Sequence, residues 1–136
     1  MKTIFALLLL TGIALAQGFW DEPIEPVLTY ENGLNVARAE QRPLLVFATQ
    51  KVCAACKPAY RILDSMRQDN KLGRCVIATV DGTTKEGRDL MIGKKLTPQI
   101  VLLDFRKRDA NGAIDRYAIE TVDEPLILKL LSKVAQ

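Results

Sequence analysis

Three runs of the chain are apolar at consecutive rather than alternate positions: Leu44-Leu45-Val46-Phe47-Ala48, Cys75-Val76-Ile77-Ala78-Thr79-Val80 and Ile100-Val101-Leu102-Leu103. A strand reads this way when both its faces are covered, so these runs predict the buried strands of a sheet with helices on both sides. Between them the apolar positions recur at helical spacing. Leu34, Val36, Ala37 and Ala39 mark a short helix ending before Pro43, and Ala59, Ile62 or Leu63, and Met66 share one face of a helix over 59–68. A weaker helix is predicted from Lys85 to Lys94, and a last one from Asp123 or Glu124 puts Ile127, Leu130 or Leu131, and Val134 on one face. Asn111-Gly112 is a hairpin signal joining the third run to a strand near Arg116 to Glu120. A weak strand near Val27 to Tyr30 comes first. Strands alternating with helices and closed by a hairpin predict an α/β chain with a central mixed β-sheet flanked by helices on both faces.

The N-terminus follows a different pattern. Lys2 precedes an uncharged apolar stretch that ends in Ala14-Leu15-Ala16, a small-x-small sequence. One positive residue, an apolar stretch and a small-residue site are the marks of a secretory signal peptide cleaved after Ala16. The stretch from Thr3 to Ala16 is shorter than the roughly 20 residues a membrane span needs, which argues against a retained anchor. The division expected is therefore a signal peptide over 1–16, an N-terminal segment over 17–32 punctuated by Pro23 and Pro26, and one domain over 33–136. Export, with the bacterial cell envelope (the periplasm) as the simplest compartment, also places cysteines where disulfides persist.

Composition narrows the chemistry. The chain has 136 residues and a formal charge of +3, too mild to argue for nucleic acid or an anionic membrane. With three cysteines and no histidine, it lacks a four-ligand Cys/His zinc set, and histidine acid–base catalysis is excluded. Lys57 rather than His follows the second cysteine of Cys53-Ala54-Ala55-Cys56, so the motif is not a haem attachment site. Two thiols at this spacing can close and reopen a small disulfide ring. Lying between a strand and a helix, Cys53 is placed near a helix N-terminus, where free N–H groups and the dipole favour the nucleophilic thiolate. Three readings stay open on the residues alone: a reversible redox pair, a static disulfide, and a Cu(I) clasp of the kind found in βαββαβ copper domains. Cys75, at the head of an apolar run, reads as a buried, inert thiol. Lys57 is either a stabiliser of the Cys53 thiolate or simply solvated, and Arg106-Lys107-Arg108 reads as a solvated hairpin tip.

The CxxC directly after a buried strand, the Thr97-Pro98 pair just before a later strand, and the closing strand–hairpin–strand–helix together resemble the thioredoxin fold, over about Val27 to Ala135. Cys-Ala-Ala-Cys-Lys on a small exported domain is most similar to periplasmic thioredoxin-like thiol–disulfide reductases. The resemblance implies that Cys53 is the nucleophile and Cys56 the resolving thiol of a redox-active disulfide. It also implies that the Thr97–Pro98 bond is cis, and that Thr97, Pro98 and Val52 form the substrate platform. No cofactor beyond the dithiol and no metal are implied. The implied partners are protein thiol or disulfide substrates and an upstream redox donor, and the protein is expected to be a monomer. Ala-Ala between the cysteines offers no group to stabilise a thiolate, which favours a reductase or electron relay over a strong oxidant. The chain departs from the family at three places: Val52 replaces the usual tryptophan, Phe47 replaces a buried acid that assists proton transfer, and Pro58 stands earlier than the kinking proline. Pro58 is expected either to kink the helix in its second turn or to open it.

Overall fold

The computed structural model describes residues 28–108 and 110–134. The expected signal peptide over 1–16 and the N-terminal segment up to Val27, with Phe19 and Trp20, lie outside them. The elements in chain order are β1 (Leu28–Thr29), α1 (Tyr30–Glu40), β2 (Leu44–Thr49), α2 (Cys56–Gln68), β3 (Val76–Asp81), α3 (Lys85–Leu90), β4 (Gln99–Arg108), β5 (Ile114–Ile119) and α4 (Glu124–Leu131). They build a five-stranded mixed sheet in the order β1-β3-β2-β4-β5. β2 runs parallel to β3 and antiparallel to β4, and β5 is antiparallel to β4.

Side chains alternate across the pleat, so each apolar run feeds two cores. Leu45, Phe47, Ile100 and Leu102 meet α2 and α4 through Ala59, Leu63, Met66, Ile127 and Leu130. Leu44, Val46, Ala48, Val101 and Leu103 point the other way, into a core that includes Ala37 of α1 and Leu90 of α3. This two-sided burial is why the strands are apolar without interruption.

Several boundaries differ from those expected. Leu28 and Thr29 pair with Ala78 and Thr79, and Thr29 caps α1 by accepting from Asn32 N at 3.3 Å. Residues 28–32 are thus built into the fold rather than preceding it. α3 stops at Leu90 instead of reaching Lys94, because Gln99 captures Ile92: its Oε1 accepts from Ile92 N at 2.7 Å and its Nε2 donates to Ile92 O at 2.8 Å. β4 continues past Leu103 to Arg108, with an irregular register between Asp104 and Arg108. Pro58 neither kinks α2 nor opens it. It is the third residue of a helix beginning at Cys56, within the first turn, where N–H groups have no intrahelical partner to lose.

Asp104 is fully buried and accepts from Arg106 at 2.9 Å through Nε and at 3.1 Å through the backbone N. Burial pushes this carboxyl up, but the two hydrogen bonds and the Arg106 and Lys107 charges outweigh it and hold Asp104 below the usual carboxylate range. A carboxyl depressed in the folded state stabilises the fold above its unfolded value of about 3.9, and that contribution drains away as pH falls through the lower folded value. Denaturant titrations of the protein and Arg106→Met should therefore show a steeper loss of stability below about pH 4 in the parent. Parallel acid limbs would show that Arg106 is not the cause.

The candidate active site

The strand directions collect four connections at one edge of the sheet. Thr49 at the end of β2 lies opposite Asp81 at the end of β3, and Gln99 at the start of β4 pairs with Ala48. Ile119, ending β5, pairs with Ile100. The chain therefore leaves or enters this edge at residues 50–55, 82–84, 91–98 and 120–123.

The first connection carries Cys53 and Cys56, which form a disulfide with Cα atoms 5.3 Å apart. Gln50 Nε2 donates to Val52 O at 3.0 Å, and Cys56 N donates to Cys53 O at 3.2 Å, which turns the chain into α2. Cys56, the first residue of α2, is 5% exposed and belongs to the core that contains Leu45, Phe47, Ala59 and Leu63. Cys53 is half-buried, and Val52 before it is 90% exposed. The pair is thus asymmetric, with one sulfur at the surface and the other in the core.

The 91–98 connection supplies the facing wall. Its Thr97–Pro98 bond is cis. Thr97 Oγ1 donates to Cys53 Sγ at 3.7 Å, so the residues singled out in the sequence, Val52, Cys53, Cys56, Thr97 and Pro98, come together at one place. Residues not singled out hold this wall. Gln99 fixes Ile92, and Lys94 N donates to Glu120 Oε1 at 3.2 Å. Gly82 packs beneath Thr97: a Cβ there would collide with Thr97 Cγ2 and lie 3.2 Å from Met91 Cε. An amide opening an otherwise apolar strand was the one signal in the sequence pointing to Gln99.

Proton acceptors are scarce around the inner sulfur. Among the described residues the buried polar side chains are Gln99 and Asp104. Gln99 is engaged with Ile92, and Asp104 lies toward the other end of β4. Phe47 instead places its ring against Tyr60, with centroids 5.7 Å apart.

Cys75 is free, buried, and immediately precedes β3, at the opposite edge of the sheet from Asp81. Burial pushes its thiol up to about 11, against the lowering influence of Arg42 and Arg106. At pH 8 about a thousandth of it is thiolate. Iodoacetamide added to the reduced protein should therefore modify Cys53 and spare Cys75 until the chain is unfolded. Rapid native-state labelling of Cys75 on a peptide map would contradict this placement.

No protein-family model matches the chain, and no curated protein matches it in sequence. Solved structures do. A thioredoxin from Thermus thermophilus shares 24% identity with a TM-score of 0.57, covering 77% of this chain and 82% of its own. A thioredoxin from Trichomonas vaginalis shares 21% at a TM-score of 0.53, covering 79% of this chain and 92% of its own. Chloroplastic thioredoxin z shares 20% at a TM-score of 0.54, covering 78% and 89%. With the mixed sheet and its strand order, this likeness establishes that the chain adopts the thioredoxin fold. The element order, closed by the β4–β5 hairpin and α4, is not that of a βαββαβ copper domain.

Proposed function

We propose that this protein is an exported thiol–disulfide oxidoreductase acting as a reductase or electron relay on other proteins. The observation that carries the reading is the asymmetric disulfide, with Cys53 at the surface beside Thr97 and Cys56 buried at the start of α2. In the dithiol form, the Cys53 thiolate attacks one sulfur of a substrate disulfide and the other leaves as a thiol. Cys56 then attacks Cys53 Sγ, releasing the second substrate thiol and regenerating the Cys53–Cys56 bond. Two electrons and two protons pass to the substrate, and an upstream dithiol donor must return them. Val52, Thr97 and Pro98 form the platform on which the substrate segment rests. A signal peptide cleaved after Ala16 would deliver the protein to an extracytoplasmic compartment, and it would act there as a monomer.

One observation favours a second reading. Among the described residues Asp104 is the one buried acid and it lies toward the far end of β4, while Phe47 packs in the cluster that holds Cys56, which suits a binding module whose disulfide stays closed. The reduction potential in dithiothreitol or glutathione buffers, with Cys53→Ser as control, separates the two. A value near or below roughly −270 mV supports a reductase, and one near −120 mV makes the protein an oxidant. No exchange at any poise supports the binding module.

A further inference from the structure

We infer that the substrate engaged at Cys53 is an acidic polypeptide segment with an apolar side chain beside its disulfide. The inference rests on the oxidoreductase reading and concerns what that site selects. Val52 and Leu96 are 90% and 64% exposed, and each immediately precedes one member of the Cys53–Thr97 contact. A single exposed aliphatic residue is ordinary, but here two stand on separate connections on either side of one reactive sulfur. Four exposed lysines stand beside them: Lys51 on the first connection and Lys57 in the first turn of α2 flank the disulfide, and Lys94 and Lys95 precede Leu96.

The carboxylates near this edge are held by local hydrogen bonds or ion pairs, Asp123 by accepting from Leu126 N at 2.8 Å. Asp81, which feels the charge of Lys51, accepts from Thr83 N at 2.8 Å and Thr83 Oγ1 at 2.7 Å. Glu120 accepts from the backbone of Lys94 at 3.2 Å. Asp89, within reach of the Lys95 charge, is paired with Lys85 at 2.5 Å. The bonds to Thr83, Lys94 N and Leu126 N come from neutral donors and leave those carboxylate charges in place. With Asp89 paired to Lys85, the four lysines still outnumber Asp81, Glu120 and Asp123, so the rim carries a small net positive charge around an apolar centre. It is also pre-shaped: Gln99, Glu120 and Gly82 fix the course of the connection that carries Lys94 to Thr97, so docking need not order it. Such a rim steers acidic segments toward Cys53 and repels basic ones.

The test uses two disulfide-bridged peptides with the same leucine next to the cysteine, one flanked by glutamates and the other by lysines. The dithiothreitol-reduced protein, freed of excess reductant, is mixed with each at low salt. Every rate is divided by the same protein's rate with neutral 2-hydroxyethyl disulfide, so that a general change in thiol reactivity cancels. The acidic peptide should be reduced at least about tenfold faster, and the preference should shrink toward unity in about 0.5 M salt. Lys94→Glu/Lys95→Glu should remove or reverse the preference. Lys51→Glu, on the other side of the sulfur, should weaken it as well, which a local distortion of one connection would not explain. Equal normalised rates for the two peptides, or a preference untouched by both variants, would overturn the inference while leaving the oxidoreductase reading intact. Failure to reduce even 2-hydroxyethyl disulfide would overturn both.

Discussion

Cys53→Ser is expected to abolish disulfide exchange, whereas Cys56→Ser should leave the first half of the reaction and block the second. The difference follows from where the two sulfurs lie. Cys53 is half-buried next to a fully exposed neighbour, so a substrate disulfide can approach it in line. Cys56 is 5% exposed within an apolar core, and an external disulfide cannot reach it without opening α2. Serine at 53 removes the only accessible nucleophile of the pair. Serine at 56 removes only the group that displaces the bound substrate, so the covalent protein–substrate species should accumulate. Mass spectrometry of alkylation-quenched reactions would read this directly. An adduct of the Cys53→Ser protein carried on Cys56 would reverse the assignment of roles.

Gly87→Ala should destabilise the protein by about 2–3 kcal/mol, the cost typical of overpacking a tight contact. At an ordinary solvent-exposed helix position the same change stabilises by up to roughly 1 kcal/mol, through helix propensity. Here the sign reverses because α3 lies against the end of β3 with no room for a methyl group. A Cβ on Gly87 would collide with Asp81 O and lie 2.8 Å from its carbonyl carbon and 2.9 Å from Gly82 Cα. These neighbours are backbone, so they cannot swing aside as a side-chain tip can. The relief available is a shift of α3 or of residues 81–82, and Gly82 packs under Thr97. The variant should therefore lose stability in chemical denaturation and also slow exchange at Cys53, although it lies outside the site. A stability equal to or above the parent's would show that α3 moves freely relative to β3.

The parts of the fold that were legible in the sequence share a cause. β2 and the first half of β4 announce themselves because burial on both faces keeps the run apolar, and β3 reads the same way although its alternate positions Ile77 and Thr79 are only half-buried. α2 and α4 were legible from one apolar stripe each. Features set by long-range polar contacts were not. Nothing local stops α3 at Leu90; the stop comes from Gln99 reaching back to Ile92. The start of α1 at Tyr30 depends on Thr29, whose role as a cap appears only once Leu28 and Thr29 are paired with β3. At the site, the Cys53–Cys56 pair was visible from spacing and Val52, Thr97 and Pro98 only through the resemblance to the thioredoxin fold, while Leu96, Gly82 and Gln99 were visible in neither way. Their roles lie in the shape of a wall rather than in reactive groups, and shape has no signature in residue type. Pro58 shows the converse. A residue that reads as a helix breaker is harmless at the third helical position, and two residues of uncertainty in the helix start were enough to change its meaning.

The orientation of β4 has a practical consequence. The strand begins beside the disulfide at Gln99 and ends at Arg108, so the turn around Asn111 is carried about 30 Å from the reactive sulfur at the usual rise per strand residue. The turn is exposed, and a Cβ on Gly112 would find no atom within 4 Å. The molecule thus has a working end and a handle at opposite ends of one strand. An affinity tag or surface linker inserted at Asn111 would hold the protein with Cys53 facing outward, so that partners caught as mixed disulfides could be collected on a solid support.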